Sequence, residues 1–217
     1  MSILKNLSRA PDADAALRNY RELADGYDAS CSRIEWLRVR AVQALQLRPG
    51  DTVFDIACGT GPTLPLLADA VGAEGQVVGV EMSPEMAAQA RQRVAGLAHA
   101  ERVSVVVSSV ESFTPEHPAD ALLLSYTHDV LQSPEALTRL LQMARPGARI
   151  VILGLRTLPW WWGWPVNLFN LYRARRYLTT YANLDCPWRA LAQRGARLRE
   201  LQRALWGSAY IAVGTLP

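Results

Sequence analysis

The amino-acid sequence predicts an α/β protein: a parallel sheet wound right-handedly, with helices on both faces. Three observations point there. Short apolar runs recur along the chain between turn residues, as strands buried on both faces do. Between them, apolar residues return at three- and four-residue spacing, the period of helices, and strands alternating with helices build a parallel sheet. The first run, Val53-Phe54-Asp55-Ile56, passes into a tight turn, Ala57-Cys58-Gly59-Thr60-Gly61, before Pro62. Glycine lets a backbone turn sharply and approach a ligand, and proline suits the first position of a following helix. Strand, glycine turn and helix N-terminus, with an acid near the strand's end, make a nucleotide-type pocket.

The elements follow in order. Residues 12–47 read as helical: Leu17, Tyr20, Leu23, Ala24 and Tyr27 keep helical spacing, as do Ile34, Leu37, Val42, Leu45 and Leu47, with Gly26 and a polar stretch at 28–32 between them. Arg48-Pro49-Gly50-Asp51 turns into strand 1. Leu64, Leu67, Ala68 and Val71 mark the helix after the glycine turn, and residues 76–81 form a second buried strand ending in Glu81. Ser83-Pro84-Glu85 is an N-cap and first turn of a helix running to Gly96. Residues 103–107 are strand 3 and residues 120–126 strand 4. Leu137, Leu140 and Leu141 mark a helix closed by the turn Ala144-Arg145-Pro146-Gly147, after which residues 149–153 are strand 5. Residues 209–213 are a terminal strand, with 197–205 as its antiparallel partner.

Composition narrows the class. A chain of 217 residues with 50% apolar and 20% charged residues suits one globular domain with a real core. A formal net charge of +3 is too small to argue for nucleic acid, and no nucleic-acid partner is expected. Arg194, Arg197, Arg199 and Arg203 read as a solvated face rather than an anion site. Cys31, Cys58 and Cys186 lack the spacing of a disulfide framework or a zinc site, no metal is expected, and Cys58 reads as a small packed residue. The N-terminus lacks the apolar core of a signal peptide, and no run of 18 apolar residues exists, so a cytoplasmic protein is expected.

Asp55 to Gly61, D-I-A-C-G-T-G, resembles motif I of the class I S-adenosylmethionine-dependent methyltransferases, with Ala57 in place of the pattern's first glycine. Glu81 stands 20 residues after Gly61, where an α/β nucleotide site places the carboxylate that accepts both ribose hydroxyls. Arg145-Pro146-Gly147-Ala148-Arg149 is similar to the R-P-G-G-R turn before the family's strand 5, and Tyr27-Asp28 to a pair on its N-terminal helix. Ser109 holds the place where the family often has an aspartate for the adenine amino group. The resemblance runs from about residue 50 to 155 and is nearest to the small-molecule, ubiquinone/menaquinone-methyltransferase-like branch. It implies a Rossmann-like seven-stranded sheet, order 3-2-1-4-5-7-6 with strand 7 antiparallel, and S-adenosyl-L-methionine as cofactor. It implies cofactor binding by Tyr20, Tyr27, Asp55, Ala57, Gly59, Gly61, Glu81, Met82, Ser109, Val110, Ser125 and Tyr126. The single domain 1–217 then divides into N-terminal helices over the cofactor (1–49), a cofactor core (50–155), a substrate or lid insertion (156–196) and terminal strands (197–217). A dehydrogenase fits less well, because Leu64 stands where a dinucleotide site has its third glycine.

The insertion is distinctive. Residues 158–172 read L-P-W-W-W-G-W-P-V-N-L-F-N-L-Y, holding four of the seven tryptophans, with Arg173, Arg175 and Arg176 behind. Three readings stay open: a wall or lid for an apolar substrate, weak contact with a membrane surface, or ordinary packing or a subunit face. The first makes Trp160, Trp161, Trp164, Tyr177 and Tyr181 substrate residues, with Asn183 beside them. The sequence carries no sign of oligomeric state.

Methyl transfer from a sulfonium mainly requires two reactants held in line and water kept out. A base is needed only when the acceptor must lose a proton. His128, just past strand 4, is the candidate, with Asp129 to orient it or act itself and Tyr126 beside them. The expected function is methyl transfer to a small, apolar acceptor. The alternatives are cyclisation or cleavage of the cofactor's own amino acid chain, and a non-catalytic cofactor-binding protein.

Overall fold

The computed structural model describes residues 10–23, 34–97 and 99–217. Seven strands form one sheet: β1 (Thr52–Ile56), β2 (Gln76–Glu81), β3 (Val103–Val107), β4 (Ala119–Ser125), β5 (Ala144–Leu155), β6 (Arg197–Ala204) and β7 (Ala209–Thr215). Their order is β3-β2-β1-β4-β5-β7-β6. The first five pair in parallel, and β7 runs antiparallel to both β5 and β6. This is the predicted Rossmann-like topology. The strand order reverses between β1 and β4, which leaves a crevice at their carboxyl ends.

The described helices are α1 (Ala13–Leu23), α2 (Glu35–Ala44), α3 (Leu64–Val71), α4 (Pro84–Ala95), α5 (His128–Gln132), α6 (Pro134–Gln142), α7 (Trp160–Ala174) and α8 (Arg189–Ala192). Side chains alternate across the pleat, so each strand feeds two cores. Phe54, Ile56, Leu122, Leu124, Ile150 and Ile152 pack on one face with Leu131, Leu137, Leu140 and Leu191. Val53, Val77, Leu123, Val151 and Leu153 pack on the other with Leu37, Leu64, Leu67 and Ala90. Asp55 shares parity with Val53, which directs its carboxylate under the sheet toward Arg38 of α2.

Two elements are settled only by the structure. Strand 5, expected at 149–153, extends over Ala144–Leu155 and takes in the Arg145-Pro146-Gly147 turn. The extra residues are absorbed as an irregularity: Ala119 faces Ala144, yet Ala121 faces Arg149. Gly147 takes a φ of 76°, where glycine has no β-carbon to clash, and its N–H reaches the Leu216 carbonyl at 3.2 Å. The second is the tryptophan segment, which is a 15-residue helix with Pro165 inside it. It is pinned from below. The Asn167 side chain accepts from the Leu158 N–H at 2.8 Å and donates to the Leu158 carbonyl at 2.9 Å, two bonds worth ~1 kcal/mol each. A β-carbon on Gly163 would lie 2.3 Å from the Leu158 β-carbon, so only glycine allows this approach.

Candidate functional site

The first site is a cavity of about 210 Å³ at the crevice between β1 and β4. The loop after β1 forms its floor. Ala57 and Gly59 take φ of 52° and 60°, and Gly61 takes 71°. A β-carbon on Gly59 meets nothing within 4 Å, because it faces the open cavity. At Gly61 a β-carbon would lie 2.7 Å from Leu64, which lets the loop close down on α3. Cys58 fills the space over Gly79, where a β-carbon would be 2.8 Å from its sulfur. Burial raises its thiol well above the usual range, which keeps it protonated in its packed place.

Glu81 is 6% exposed and lines the same cavity. One carboxylate oxygen accepts from the Gly59 N–H at 2.9 Å and the other from the Ser83 N–H at 2.8 Å. Each keeps lone pairs for a ligand. Burial raises its pKa, and the backbone bonds oppose the rise. Met82, Ser109, Val110, Ser125 and Tyr126 also line the cavity, as do Ala13 and Ala16 at the start of α1. The Ser109 hydroxyl donates to Ser112 Oγ at 3.2 Å and accepts from the Ser112 N–H at 3.3 Å, holding the bend after β3. Tyr126 adopts a φ of 60°, a strained value for a residue with a β-carbon, and its N–H bonds the Leu153 carbonyl at 2.7 Å.

Asp55 is not part of this lining. It is 1% exposed and accepts a hydrogen bond from the Thr63 hydroxyl, while Oδ1 has no hydrogen-bond partner among the described residues. Burial lifts its pKa to about 7, against the pull of Thr63 and Arg38. The Tyr20 side chain and all of Tyr27 lie outside the described residues.

A second cavity of about 300 Å³ shares a wall with the first: Tyr126, Thr127, His128, Tyr177 and Leu178 line both. Its other walls are Leu131, Leu153, Leu155, Phe169, Asn170, Arg173, Ala174, Leu184, Leu205 and Tyr210. The lining is apolar apart from a few groups. Asn170 Nδ2 is buried with no hydrogen-bond partner among the described residues. Burial raises the Tyr210 pKa and keeps its phenol protonated.

His128 begins α5 in the shared wall and is 7% exposed. Neither ring nitrogen makes a hydrogen bond among the described residues. Burial lowers its pKa to about 4, with the backbone at Ala182 acting weakly the other way, so the imidazole is neutral at pH 7. Asp129 does not orient it. Its Oδ2 accepts from the Thr179 N–H at 2.9 Å and the Thr179 hydroxyl at 2.6 Å, and the same Thr179 oxygen accepts from the Asp12 N–H at 2.9 Å. Asp129 thus ties the stretch carrying Tyr177 and Leu178 to the head of α1. Burial raises its pKa, partly offset by these bonds.

The remaining predicted residues are placed elsewhere. Trp160, Trp161 and Trp164 stand on the exposed surface of α7 and line neither cavity. Tyr181 is buried at 5% and also lines neither, and Asn183 donates to the Gln132 side chain at 2.8 Å. The residues of this helix that reach the second cavity are Phe169, Asn170, Arg173 and Ala174. Their four-residue spacing marks one helical face, a signal legible only once the segment is read as a helix.

Comparison with known proteins agrees with this geometry. Residues 53–147 match the family described as "Methyltransferase domain". Over this stretch, less than half of its length, the chain is similar to methyltransferase domains. It is 33% identical over 157 residues to 2-phytyl-1,4-naphtoquinone methyltransferase from Synechococcus elongatus, covering 67% of this chain and 65% of that protein. It is 28% identical over 141 residues to demethylmenaquinone methyltransferase from Symbiobacterium thermophilum, covering 62% and 56%. The chain therefore spans less than two thirds of the length of these relatives. A SAM dependent methyltransferase structure from Aquifex aeolicus superposes with a TM-score of 0.65 at 21% identity, over 93% of this chain and 98% of that one, and shares its fold.

Proposed function

We propose that this protein transfers the methyl group of S-adenosylmethionine to a small, largely apolar acceptor held in the second cavity. The observation that carries this reading is the shared wall: two cavities of different character meet at Tyr126, His128 and Tyr177. A protein that only bound or cleaved its cofactor would have no use for the second.

The first cavity fits the cofactor. The bare α-carbon of Gly59 leaves room where a β-carbon would intrude, and Glu81 presents two backbone-anchored oxygens to a pair of ribose hydroxyls. Met82 and Val110 supply apolar surface for adenine, with Ser109 beside it. Ala57, Ser125 and Tyr126 flank the amino acid end, and Asp55 below the loop supplies a negative potential through its orphaned oxygen. When bound, the cofactor supplies a methyl group on a positively charged sulfur.

The protein's own residues then place the acceptor and take its proton. Asn170 Nδ2 donates to an acceptor oxygen, while Leu131, Leu153 and Leu184 exclude water. An acceptor with a hydroxyl on an apolar ring fits, as either oxygen of a quinol would, in keeping with the naphthoquinone and menaquinone named for the two relatives. Methylation of an X–H acceptor forms the X–C bond as the methyl–sulfur bond breaks, its electron pair remaining on sulfur as a neutral thioether, and the released X–H proton goes to His128. A neutral imidazole is suited to this place, because an imidazolium would repel the sulfonium across the wall. Tyr177, held by the Asp129–Thr179 bonds of its segment, closes the wall beside it.

The deciding experiment incubates the protein with cofactor alone and with hydroxylated naphthoquinols. Methylated naphthoquinol formed only in the second mixture is expected. Cofactor breakdown at the same rate without acceptor would overturn methyl transfer in favour of cofactor cyclisation or cleavage.

A further inference from the structure

Five of the seven tryptophans stand exposed on α7 and the turn before β7: Trp160, Trp161, Trp162, Trp164 and Trp206. Trp161 is 85% and Trp206 87% exposed. Along α7 only Gly163, Asn167 and Ala174 are buried, so the helix touches the protein through a narrow stripe and offers the rest of its apolar circumference to the outside. The two groups of indoles are neighbours. Leu158 lies against Gly163 of α7 on one side and within 3.4 Å of a β-carbon position on Gly207 on the other. Leu205 and Trp206 take φ of 51° and 63°, unfavourable for residues with β-carbons, in the turn that holds Trp206 outward.

We propose that α7 and the Leu205–Gly207 turn are a docking surface for an anionic phospholipid bilayer. Charge selects this occupant. Residues 157–184 contain Arg173, Arg175 and Arg176 and no aspartate or glutamate. The guanidinium of Arg175 lies 4.1 Å from the Tyr172 ring centre and that of Arg173 lies 5.8 Å from Phe169, which keeps both cations on the aromatic surface. A second copy of the chain would bring the same three positive charges against them, whereas lipid phosphates complement them. Indole, apolar with one N–H donor, is suited to the headgroup level of a bilayer. At ~1.5 Å per residue, the 15 residues of α7 fall short of the ~30 Å apolar core. No helix among the described residues is long and apolar enough to cross a membrane. The helix therefore lies in the plane of the interface. Phe169 and Leu205 belong both to this surface and to the second cavity. Resting on the acceptor reading above, this gives an acceptor dissolved in the bilayer a route to the cavity.

Co-sedimentation with phosphatidylcholine vesicles, with and without phosphatidylglycerol, tests the docking. Binding to the phosphatidylglycerol vesicles is expected, with a blue shift of tryptophan emission and release by salt. The pair Arg175→Gln and Arg176→Gln weakens it by roughly fivefold per charge. The triple change Trp161→Ala, Trp164→Ala and Trp206→Ala abolishes the blue shift. S-adenosylmethionine affinity, measured by calorimetry on the same variants, stays unchanged, so loss of docking is read separately from failure of the cofactor site. Wild-type protein that binds S-adenosylmethionine but not phosphatidylglycerol vesicles overturns the proposal. So does a wild-type dimer that the tryptophan changes dissociate, which assigns the surface to a second copy.

Discussion

The cofactor cavity takes its walls from the ends of neighbouring strands: Ala57 and Gly59 after β1, Glu81 and Met82 at β2, Ser109 after β3, and Ser125 and Tyr126 at β4. The acceptor cavity is assembled differently, from side chains on α5, β5, α7, the Leu205 turn and β7. In the first, much of the recognition is backbone geometry fixed by parallel pairing, and these walls follow their strands within a few residues, with the head of α1 and Tyr177 and Leu178 added from outside the sheet. In the second, recognition is side-chain register, and the walls from α5 and α7 depend on how a helix is rotated against the sheet. A cofactor shared by many enzymes suits the former, and an acceptor peculiar to one suits the latter.

The contrast is tested most severely by a pair of substitutions. Glu81→Ala removes the proposed ribose acceptor and leaves the Gly59 and Ser83 N–H groups without their carboxylate. Lost hydrogen bonds to a charged group predict a fall in S-adenosylmethionine affinity of about 100-fold or more, read by calorimetry. Ala174→Leu narrows the second cavity and is expected to raise the acceptor KM while cofactor affinity holds. Equal loss of cofactor binding in both variants would erase the distinction between the cavities.

His128 in the shared wall comes next. His128→Gln is expected to lower kcat by roughly 100-fold or more with little change in cofactor affinity, the scale of a lost general base. The wild-type rate should be flat through neutral pH and fall as pH drops through about 4, where the imidazole becomes charged. An undiminished kcat in the variant would remove His128 from proton transfer, whereas a rate that falls with an ordinary histidine pKa near 6.5 would overturn the lowered pKa and leave the base in place.

The smallest effect concerns Asp55. Its folded pKa, about 7, lies above its ordinary value of 3.8, so the native state holds the proton more tightly than the unfolded chain. The stability this group contributes is full below pH 3.8 and is lost as pH rises through about 7. Thermal unfolding of the cofactor-free protein should therefore show a Tm component that declines from pH 4 to 7. Asp55→Asn should flatten it and weaken S-adenosylmethionine binding several-fold. An unchanged pH profile in the variant would mean that Asp55 is not the group responsible.

Much of the molecule was legible in the linear chain. The strands Gln76–Glu81 and Val103–Val107 begin and end where their apolar runs do, and Ser83 caps α4 by accepting from the Met86 N–H at 3.3 Å. The proposed cofactor pocket was read from Gly59, Gly61 and Glu81, because a glycine turn after a buried strand and an acid one strand later are constraints on backbone, and backbone constraints leave their mark at fixed spacing. The rest was decided by packing. Tryptophans and a proline at 160–165 conceal the helical period of α7, because apolar residues all round a helix leave no stripe to count. Which face turns inward was settled by Asn167 and Gly163 closing on Leu158, and that rotation gave the cavity Phe169, Asn170, Arg173 and Ala174 while leaving the indoles outside. Asp129 likewise found its partner 50 residues away in Thr179 rather than in the adjacent histidine. The sequence by itself determined the sheet and pointed to the proposed cofactor pocket, whose walls are local to each strand's end. Tertiary structure alone decided the acceptor's walls and the outward face of α7, since both rest on the rotation of a helix that its own residues do not specify.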